Sequence, residues 1–99
     1  MVSMSDPKSI LSPTEIDTRL PHDWKREGNT IHRQVETGDF TTGLRLLNQI
    51  GEAAETRDHH PDLFLTYGSV AITLSSHDVG GVTTRDIRMA ETINGIITG

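Results

Sequence analysis

A chain of 99 residues with 33% hydrophobic residues and a formal net charge of −5 predicts one domain with a modest apolar core. The lack of cysteine excludes disulfide bonds, thiolate metal sites and cysteine nucleophiles, and nine scattered Lys and Arg residues argue against direct binding of nucleic acid. No apolar run is long enough for a signal peptide or a membrane span, so we expect a cytoplasmic protein without membrane contact.

The chain begins with a polar stretch that shows no periodicity, and we expect a flexible tail over residues 1–10 and one folded domain over residues 11–99. The Ser-Pro-Thr-Glu segment at 12–15 predicts the start of a helix. Serine is a favourable N-cap, proline fits the first helical position, and glutamate three residues after the serine completes a capping box. Pro21 ends this helix, because proline disfavours helical geometry in the residue before it.

A β-hairpin is predicted over residues 24–35. Glycine adopts positive φ without steric cost, so the Gly-Asn pair at 28–29 is the expected turn. On the second strand Ile31, Arg33 and Val35 share one face, since side chains alternate along a strand. The arginine makes the apolar alternation of this face imperfect.

A long amphipathic helix is predicted next, because apolar residues recur at helical spacing. These positions are Phe40, Leu44, Leu47, Ile50 or Gly51, and Ala54. Asp39 is the expected N-cap. The helix is expected to end near Asp58 or His59, because the proline at 61 disfavours helical geometry just before it.

A second β-hairpin is predicted over residues 63–67 and 70–75, joined by the Gly-Ser pair at 68–69. On its later strand, three apolar residues share one face: Val70, Ile72 and Leu74. The opposite face carries Ala71, Thr73 and Ser75, and His77 has the same parity.

A final helix is predicted after the break at Gly80-Gly81, with Thr83 as its N-cap. Its apolar positions are Ile87, Met89, Ala90, Ile93, Ile96 and Ile97. The whole order predicts an α+β fold (α-β-β-α-β-β-α), in which the two hairpins form one four-stranded antiparallel sheet and three helices pack on one face of it.

Three of the five histidines lie in one stretch of the chain, at His59, His60 and His77. Histidine is suited to proton transfer near neutral pH. The first two end the long helix, where Pro61 leaves their rings at an exposed edge. Glu55 lies one turn before His59 and is expected to contact it. Antiparallel pairing of the second hairpin can return His77 toward the same edge.

Each of these residues also has a purely structural interpretation: the paired histidines can cap a helix, His77 can lie in a loop, and Asp86 can serve only the capping box that Thr83 begins. His22 and His32 are expected to be solvated surface residues. A metal site is disfavoured because adjacent histidine side chains diverge and no H-x-H or H-E-x-x-H spacing is present. A serine hydrolase is disfavoured because there is no G-x-S-x-G motif.

The pattern of these residues resembles the pterin-4a-carbinolamine dehydratases. Their signature places a charged residue before His-His-Pro, followed by an aromatic residue, a third histidine and an aspartate. Here it is supplied by Glu55, His59, His60, Pro61, Tyr67, His77 and Asp86. The wider resemblance runs over residues 11–97 and includes Trp24, Phe40 and the glycine-rich turn before the last helix.

The resemblance implies dehydration of 4a-hydroxytetrahydropterin to quinonoid dihydropterin and water, a reaction that recycles the cofactor of aromatic amino-acid hydroxylases. It implies the same α+β fold, and association as a homodimer or homotetramer through sheet edges and helices. No metal or organic cofactor is implied. A modest core makes association between chains reasonable on physical grounds as well.

By resemblance, His59 and His77 carry out acid–base catalysis and His60 orients the substrate. The residues expected to line the pterin pocket are Asp58, His59, His60, Ser75, Ser76, His77 and Asp78. The residues expected to support them are Glu55, Pro61, Arg85 and Asp86.

Two positions depart from the family pattern: Leu63 stands where an aromatic residue is frequent, and Ser76 where threonine is common. Neither change removes a proton-transfer group. The open alternative is a non-enzymatic interaction module on the same fold, resembling a transcriptional coactivator or a Rubisco assembly factor. Such a module would use a sheet edge or a helix surface and would not need the histidines.

Overall fold

Seven elements follow one another in the predicted order in the computed structural model, which describes residues 8–99. They are α1 (Pro13–Arg19), β1 (Lys25–Glu27), β2 (Thr30–Glu36), α2 (Phe40–Arg57), β3 (Asp62–Leu65), β4 (Ser69–Leu74) and α3 (Thr84–Thr98). The predicted flexible tail falls mainly on residues 1–7, which lie outside the described residues. The α+β prediction, with three helices on one face of a four-stranded antiparallel sheet, is confirmed.

Helix α1 begins with the predicted capping box. The backbone N–H of Glu15 donates to Ser12 Oγ at 3.1 Å, and the backbone N–H of Ser12 donates to Glu15 Oε1 at 2.9 Å. Hydrogen bonding to the carboxylate, chiefly from the backbone N–H of Ser12, lowers the pKa of the Glu15 carboxyl. Just before the helix, the Leu11 N–H donates to the Val82 carbonyl at 2.8 Å. The start of the domain is therefore held against the segment that leads into α3.

The sheet has the strand order β1-β2-β4-β3, with every neighbouring pair antiparallel. Strand β4 is central, and its predicted apolar face is confirmed, since Val70, Ile72 and Leu74 are all 0% exposed. The predicted second hairpin is displaced slightly: β3 ends at Leu65, and the turn covers residues 66–68. The reason is local, because the Thr66 N–H bonds to the Ser69 carbonyl at 2.9 Å and draws that serine into β4.

Helix α2 begins at the predicted cap, where Asp39 Oδ1 accepts a hydrogen bond of 2.7 Å from the Thr42 N–H. Its predicted apolar stripe is partly wrong. The buried positions are Gly43, Leu46, Ile50 and Ala54, whereas Phe40 is 46% and Leu44 is 42% exposed.

Close packing of α2 on the sheet explains this difference. A Cβ atom at Gly43 would lie 2.8 Å from Cδ1 of Leu65 and 3.2 Å from Oγ1 of Thr37. The helix therefore turns its smallest residue toward β3, which allows the backbone to approach the sheet closely. The larger side chains of Phe40 and Leu44 are rotated away from the core as a result.

Helix α3 buries the stripe that its sequence predicts, with Ile87, Ala90 and Ile93 at most 5% exposed. Two buried residues of this helix are polar, Asp86 near its start and Asn94 near its end. The side chain of Asn94 is an acceptor for Trp24 Nε1 at 2.8 Å and for the guanidinium of Arg33. This contact explains how an arginine occupies the inner face of β2. None of the helices within residues 8–99 has the length and apolar character of a membrane-crossing segment.

Asp58 offers a direct test of the end of α2, since it adopts the left-handed conformation with φ 51°. Glycine adopts this conformation without the steric cost that a Cβ atom brings. We expect Asp58→Gly to raise the free energy of unfolding by about 0.5–1 kcal/mol, and Asp58→Ala to lower it by about 1 kcal/mol. Urea denaturation followed by circular dichroism measures both, and a less stable glycine variant would contradict the assigned cap.

Candidate active site

The connection between α2 and β3 carries the two adjacent histidines. Asp58 turns the chain out of the helix, and the His59 N–H still donates to the Ala54 carbonyl at 3.1 Å. This geometry directs the side chain of His59 inward, where it is 13% exposed, while that of His60 is 56% exposed. The neighbouring rings therefore lie in different environments, as adjacent side chains beyond a helix end are expected to do.

A buried carboxylate holds the ring of His59. Its Nε2–H donates to Oδ1 of Asp86 at 2.6 Å, and the Asp86 side chain is 0% exposed. The other oxygen, Oδ2, accepts hydrogen bonds of 2.8 Å from Ser76 Oγ and from the Thr83 backbone N–H. Asp86 therefore both completes the capping box of α3 and binds the histidine, so the two interpretations of this residue are compatible.

The contact with Asp86 determines which nitrogen of His59 is available for chemistry. A carboxylate only accepts hydrogen bonds, so the hydrogen lies on Nε2 of the imidazole. In the neutral ring Nδ1 then carries a free lone pair. A buried carboxylate behind a histidine also stabilises the imidazolium that forms when Nδ1 takes up a proton. Nδ1 of His59 is thus suited to reversible proton transfer.

Hydroxyl groups extend this network away from the histidine. Because Ser76 Oγ–H donates to Asp86, its oxygen accepts from Oγ1 of Thr83, 2.8 Å away. Thr83 Oγ1 in turn accepts from the backbone N–H and Nε–H of Arg85, at 3.2 and 3.3 Å. Arg85 donates to Thr83, Thr83 donates to Ser76, and Ser76 donates to Asp86. Hydrogen bonds aligned in one direction in this way strengthen each other. The sequence predicted Thr83 only as the N-cap of α3. The capping box that places its side chain near Asp86 was the one sign in the sequence that Thr83 would join this network.

The third histidine, His77, lies in the turn at 77–80 and is exposed. The residue before it, Ser76, pairs with Gly81 and touches the carboxylate that binds His59. The residue after it, Asp78, accepts a hydrogen bond of 2.8 Å from Nη2 of Arg85. Both neighbours of His77 are therefore anchored to the network that holds His59.

Charge at this turn is set by the ion pair between Asp78 and Arg85. Hydrogen bonding from the guanidinium lowers the pKa of the Asp78 carboxyl below its usual range. Asp78 is consequently ionised at neutral pH, and it is the ion-pair partner of Arg85.

Glu55 contacts a different histidine from the one that helical spacing predicts. Its carboxylate lies against Nε2 of His60 in a short contact, while His59 is bound by Asp86. The left-handed Asp58 ends helical geometry before either histidine, so the one-turn spacing does not apply. Of the other predicted site residues, Ser75 follows β4 and Pro61 precedes β3, and both are half-buried.

A cleft of about 290 Å³ opens beside His59 and is lined by that residue and three arginines, Arg57, Arg85 and Arg88. Two of these arginines, at 57 and 88, were not predicted as site residues, because they lie on separate helices and match no motif. Within residues 8–99, no group of three or more His, Asp or Glu side chains is placed to hold a metal ion.

Asp86→Asn tests how the carboxylate controls His59. The amide oxygen can keep the bonds from Ser76 and Thr83, which places the amide N–H toward Nε2 of His59. We therefore expect the ring to change to the Nδ1–H tautomer, with a loss of about 1–3 kcal/mol of stability. Nitrogen NMR of the ring reports the tautomer, and urea denaturation reports the stability.

Ser76→Ala is the matched control, because it removes one donor to Asp86 but retains the carboxylate. We expect this variant to lose about 1 kcal/mol and to keep the Nε2–H tautomer. An unchanged tautomer in Asp86→Asn would show that the carboxylate does not orient the ring.

Comparison with known proteins identifies the family. The family model for pterin 4 alpha carbinolamine dehydratase matches residues 9–96. A relative from Koribacter versatilis, assigned by name to pterin-4-alpha-carbinolamine dehydratase, is 42% identical over 91 residues, which cover 90% of this chain and 96% of the relative. A relative from Haloarcula marismortui with the same assignment is 39% identical over 87 residues, covering 88% and 95% of the two chains.

Solved structures give the same result for the fold. The crystal structure of a transcriptional coactivator/pterin dehydratase from Brucella melitensis matches with a TM-score of 0.82 and 33% identity, covering 89% of this chain and 98% of that one. A pterin dehydratase-like protein identified as a RuBisCO assembly factor in the alpha-carboxysome matches with a TM-score of 0.64 and 18% identity, covering 76% and 89%. The latter shows the fold alone. Sequence and fold together show that the chain belongs to the pterin-4a-carbinolamine dehydratase family.

Proposed function

We propose that this protein dehydrates pterin-4a-carbinolamine (4a-hydroxytetrahydropterin) to quinonoid dihydropterin and water. The observation that carries the proposal is the hydrogen bond from His59 to the buried carboxylate of Asp86. A histidine held in this way is prepared for proton transfer at its second nitrogen. Recycling the pterin of aromatic amino-acid hydroxylases would place the reaction in the cytoplasm.

The reaction needs two proton transfers on neighbouring atoms. The C4a–O bond breaks as the hydroxyl takes up a proton and leaves as water, and N5 loses its proton as the C4a=N5 double bond forms. We assign these transfers to Nδ1 of His59 and to the ring of His77. One ring delivers the proton to the hydroxyl and the other accepts the proton from N5, so the pair regains its protonation state through exchange with solvent.

His60 and Glu55 are assigned to substrate orientation. The ring of His60 is exposed and its Nε2 is engaged by the Glu55 carboxylate, which leaves the opposite edge of the imidazole to face a ligand. Asp58 and the segment 75–78 are proposed to line the same pocket. No metal or organic cofactor enters this scheme.

A purely non-enzymatic role is the second candidate, since a solved relative carries the name of a coactivator as well as a dehydratase. The hydrogen-bond network around Asp86 favours the enzymatic role. This network leaves the second nitrogen of His59 free beside a cleft, an arrangement that proton transfer uses and that a protein-binding surface does not require.

Catalysis is tested with His59→Ala and His77→Ala. Positioned acid–base groups contribute about 10²–10⁴-fold to a rate, so we expect each variant to slow dehydration by such a factor. The carbinolamine is generated by a hydroxylase, and its decay is followed by absorbance with and without the protein. His22→Ala is the control, since this histidine is 67% exposed, pairs with Asp23 and does not line the cleft beside His59.

Two outcomes would contradict the assignment. Turnover at the normal rate in both variants would remove the proposed histidines from the mechanism. No acceleration by the unmodified protein over the spontaneous reaction would favour the non-enzymatic role.

We also propose that the protein forms a homodimer or homotetramer. Strand β3 pairs only with β4 among the described strands, and its Phe64 side chain is 67% exposed. Tyr67 in the adjoining turn is 73% exposed, and Phe40 and Leu44 of α2 are half-exposed. An open strand edge with large apolar side chains is typical of a surface that another chain covers.

Light scattering coupled to size exclusion tests this association. We expect a multiple of the 10.9 kDa chain mass for the unmodified protein, and dissociation in Phe64→Glu because a charge would be buried at the interface. Lys25→Glu introduces the same side chain on β1, at the opposite edge of the sheet, and should leave the oligomer intact. A monomeric unmodified protein would refute the proposal, and dissociation only in Lys25→Glu would place the interface at β1.

A further inference from the structure

The cleft beside His59 has an unusual concentration of positive charge. Of residues 8–99, those that line it are His59 and the three arginines Arg57, Arg85 and Arg88, with no acidic residue among them. The chain as a whole has 14 acidic and only nine basic residues other than histidine. One third of its cations therefore surround one small cleft of a protein whose net charge is negative.

Two of these cations have no partner in the part of the chain that the structure describes. Among residues 8–99, the guanidinium groups of Arg57 and Arg88 form no hydrogen bond or ion pair, whereas that of Arg85 binds Asp78 and Thr83. Like charges gathered at one cleft repel each other, and the repulsion is relieved when an anion binds between them. The free guanidinium groups are therefore available to a ligand rather than to the fold.

The backbone holds these arginines in place. Arg57 is the last residue of α2. Arg85 and Arg88 lie one turn apart near the start of α3, so their side chains share one face of that helix. Sites built on helices are held more rigidly than sites on loops. The two helix ends thus present three forked donors to the same space.

We propose that this cleft binds a phosphate monoester on the side chain of the pterin, so that the preferred substrate is a phosphorylated pterin. The inference rests on the proposed dehydratase activity, because His59 lines the cleft and also acts on the pterin ring. A group bound in the cleft is within short reach of the reacting atoms. The site would then select its substrate by the phosphate on the pterin side chain as well as by the pterin ring.

Phosphate fits the donors better than other anions. A phosphate monoester carries a charge of about −1.5 to −2 at neutral pH and has three acceptor oxygens. Guanidinium groups bind phosphate through paired N–H donors, which makes arginine especially suited to this ligand. A carboxylate offers a single charge and two oxygens, fewer than two free guanidinium groups can use. A nucleic-acid backbone is disfavoured by the net charge of −5 and by the small size of the cleft.

Two matched ligands test the inference: 7,8-dihydroneopterin and its 3′-monophosphate. Each is titrated against the full chain by fluorescence, and each is used as an inhibitor of carbinolamine dehydration. A charge-assisted hydrogen bond contributes roughly a factor of ten or more to affinity. We therefore expect the phosphate ester to bind about 100-fold more tightly than the neutral pterin.

Variants identify the residues responsible. In the double variant Arg57→Gln/Arg88→Gln, we expect the two pterins to bind with nearly equal affinity, while the neutral pterin binds as it does to the unmodified protein. Arg45→Gln is the matched control, because Arg45 is also an exposed arginine of α2 but does not line the cleft. This control should keep the full preference for the phosphate ester.

Three outcomes would overturn the inference. The first is equal affinity of the unmodified protein for the two pterins, and the second is a full preference in the double variant. The third comes from inorganic phosphate as a competitor: it should weaken binding of the ester only, and equal competition with the neutral pterin would place the anion at the ring site instead.

The titration also separates this inference from the proposed reaction. A phosphate preference that the double variant loses would support the cleft even if the protein failed to dehydrate the carbinolamine. Dehydration without any phosphate preference would support the reaction and refute the cleft. The two proposals therefore fail on different measurements.

Discussion

The buried carboxylate of Asp86 is the constraint around which the site is built. A charge with no exposure to solvent is costly unless it is fully hydrogen-bonded, and its donors come from three segments: His59 after α2, Ser76 after β4 and Thr83 before α3. These segments are distant in sequence, so the carboxylate can be satisfied only when α2, β4 and α3 are packed together. Its capping role at α3 and its role behind His59 are one and the same arrangement.

The same arrangement makes the three histidines unequal. His59 is mostly covered, with one nitrogen committed to Asp86, whereas His60 is open to solvent and paired with Glu55. His77 is exposed, but both residues beside it are tied to the network through Asp86 and Arg85. The proposed roles follow this difference, with proton transfer assigned to His59 and His77 and substrate orientation assigned to His60.

Helix α2 connects the proposed site with the proposed subunit contact. Gly43 brings its first half close to β3, which leaves Phe40 and Leu44 on the outside near an open strand edge. Its last residues supply Glu55 to a histidine and Arg57 to the cationic cleft. Eighteen residues of helix span about 27 Å, so a contact between chains at one end need not obstruct the chemistry at the other.

The sequence by itself determined the features that depend on residues a few positions apart. These are the capping boxes of α1 and α3, the cap at Asp39, the Gly-Asn turn and the buried face of β4. The family was also recognised without the structure, from the motif spread over residues 55–86. The tertiary structure decided which face of α2 is buried, the partner of Glu55, and the meeting of Arg57 with Arg88. Caps and turns are fixed by local hydrogen bonds, whereas the rotation of a helix and the neighbours of its ends depend on contacts with distant segments, which periodicity does not encode.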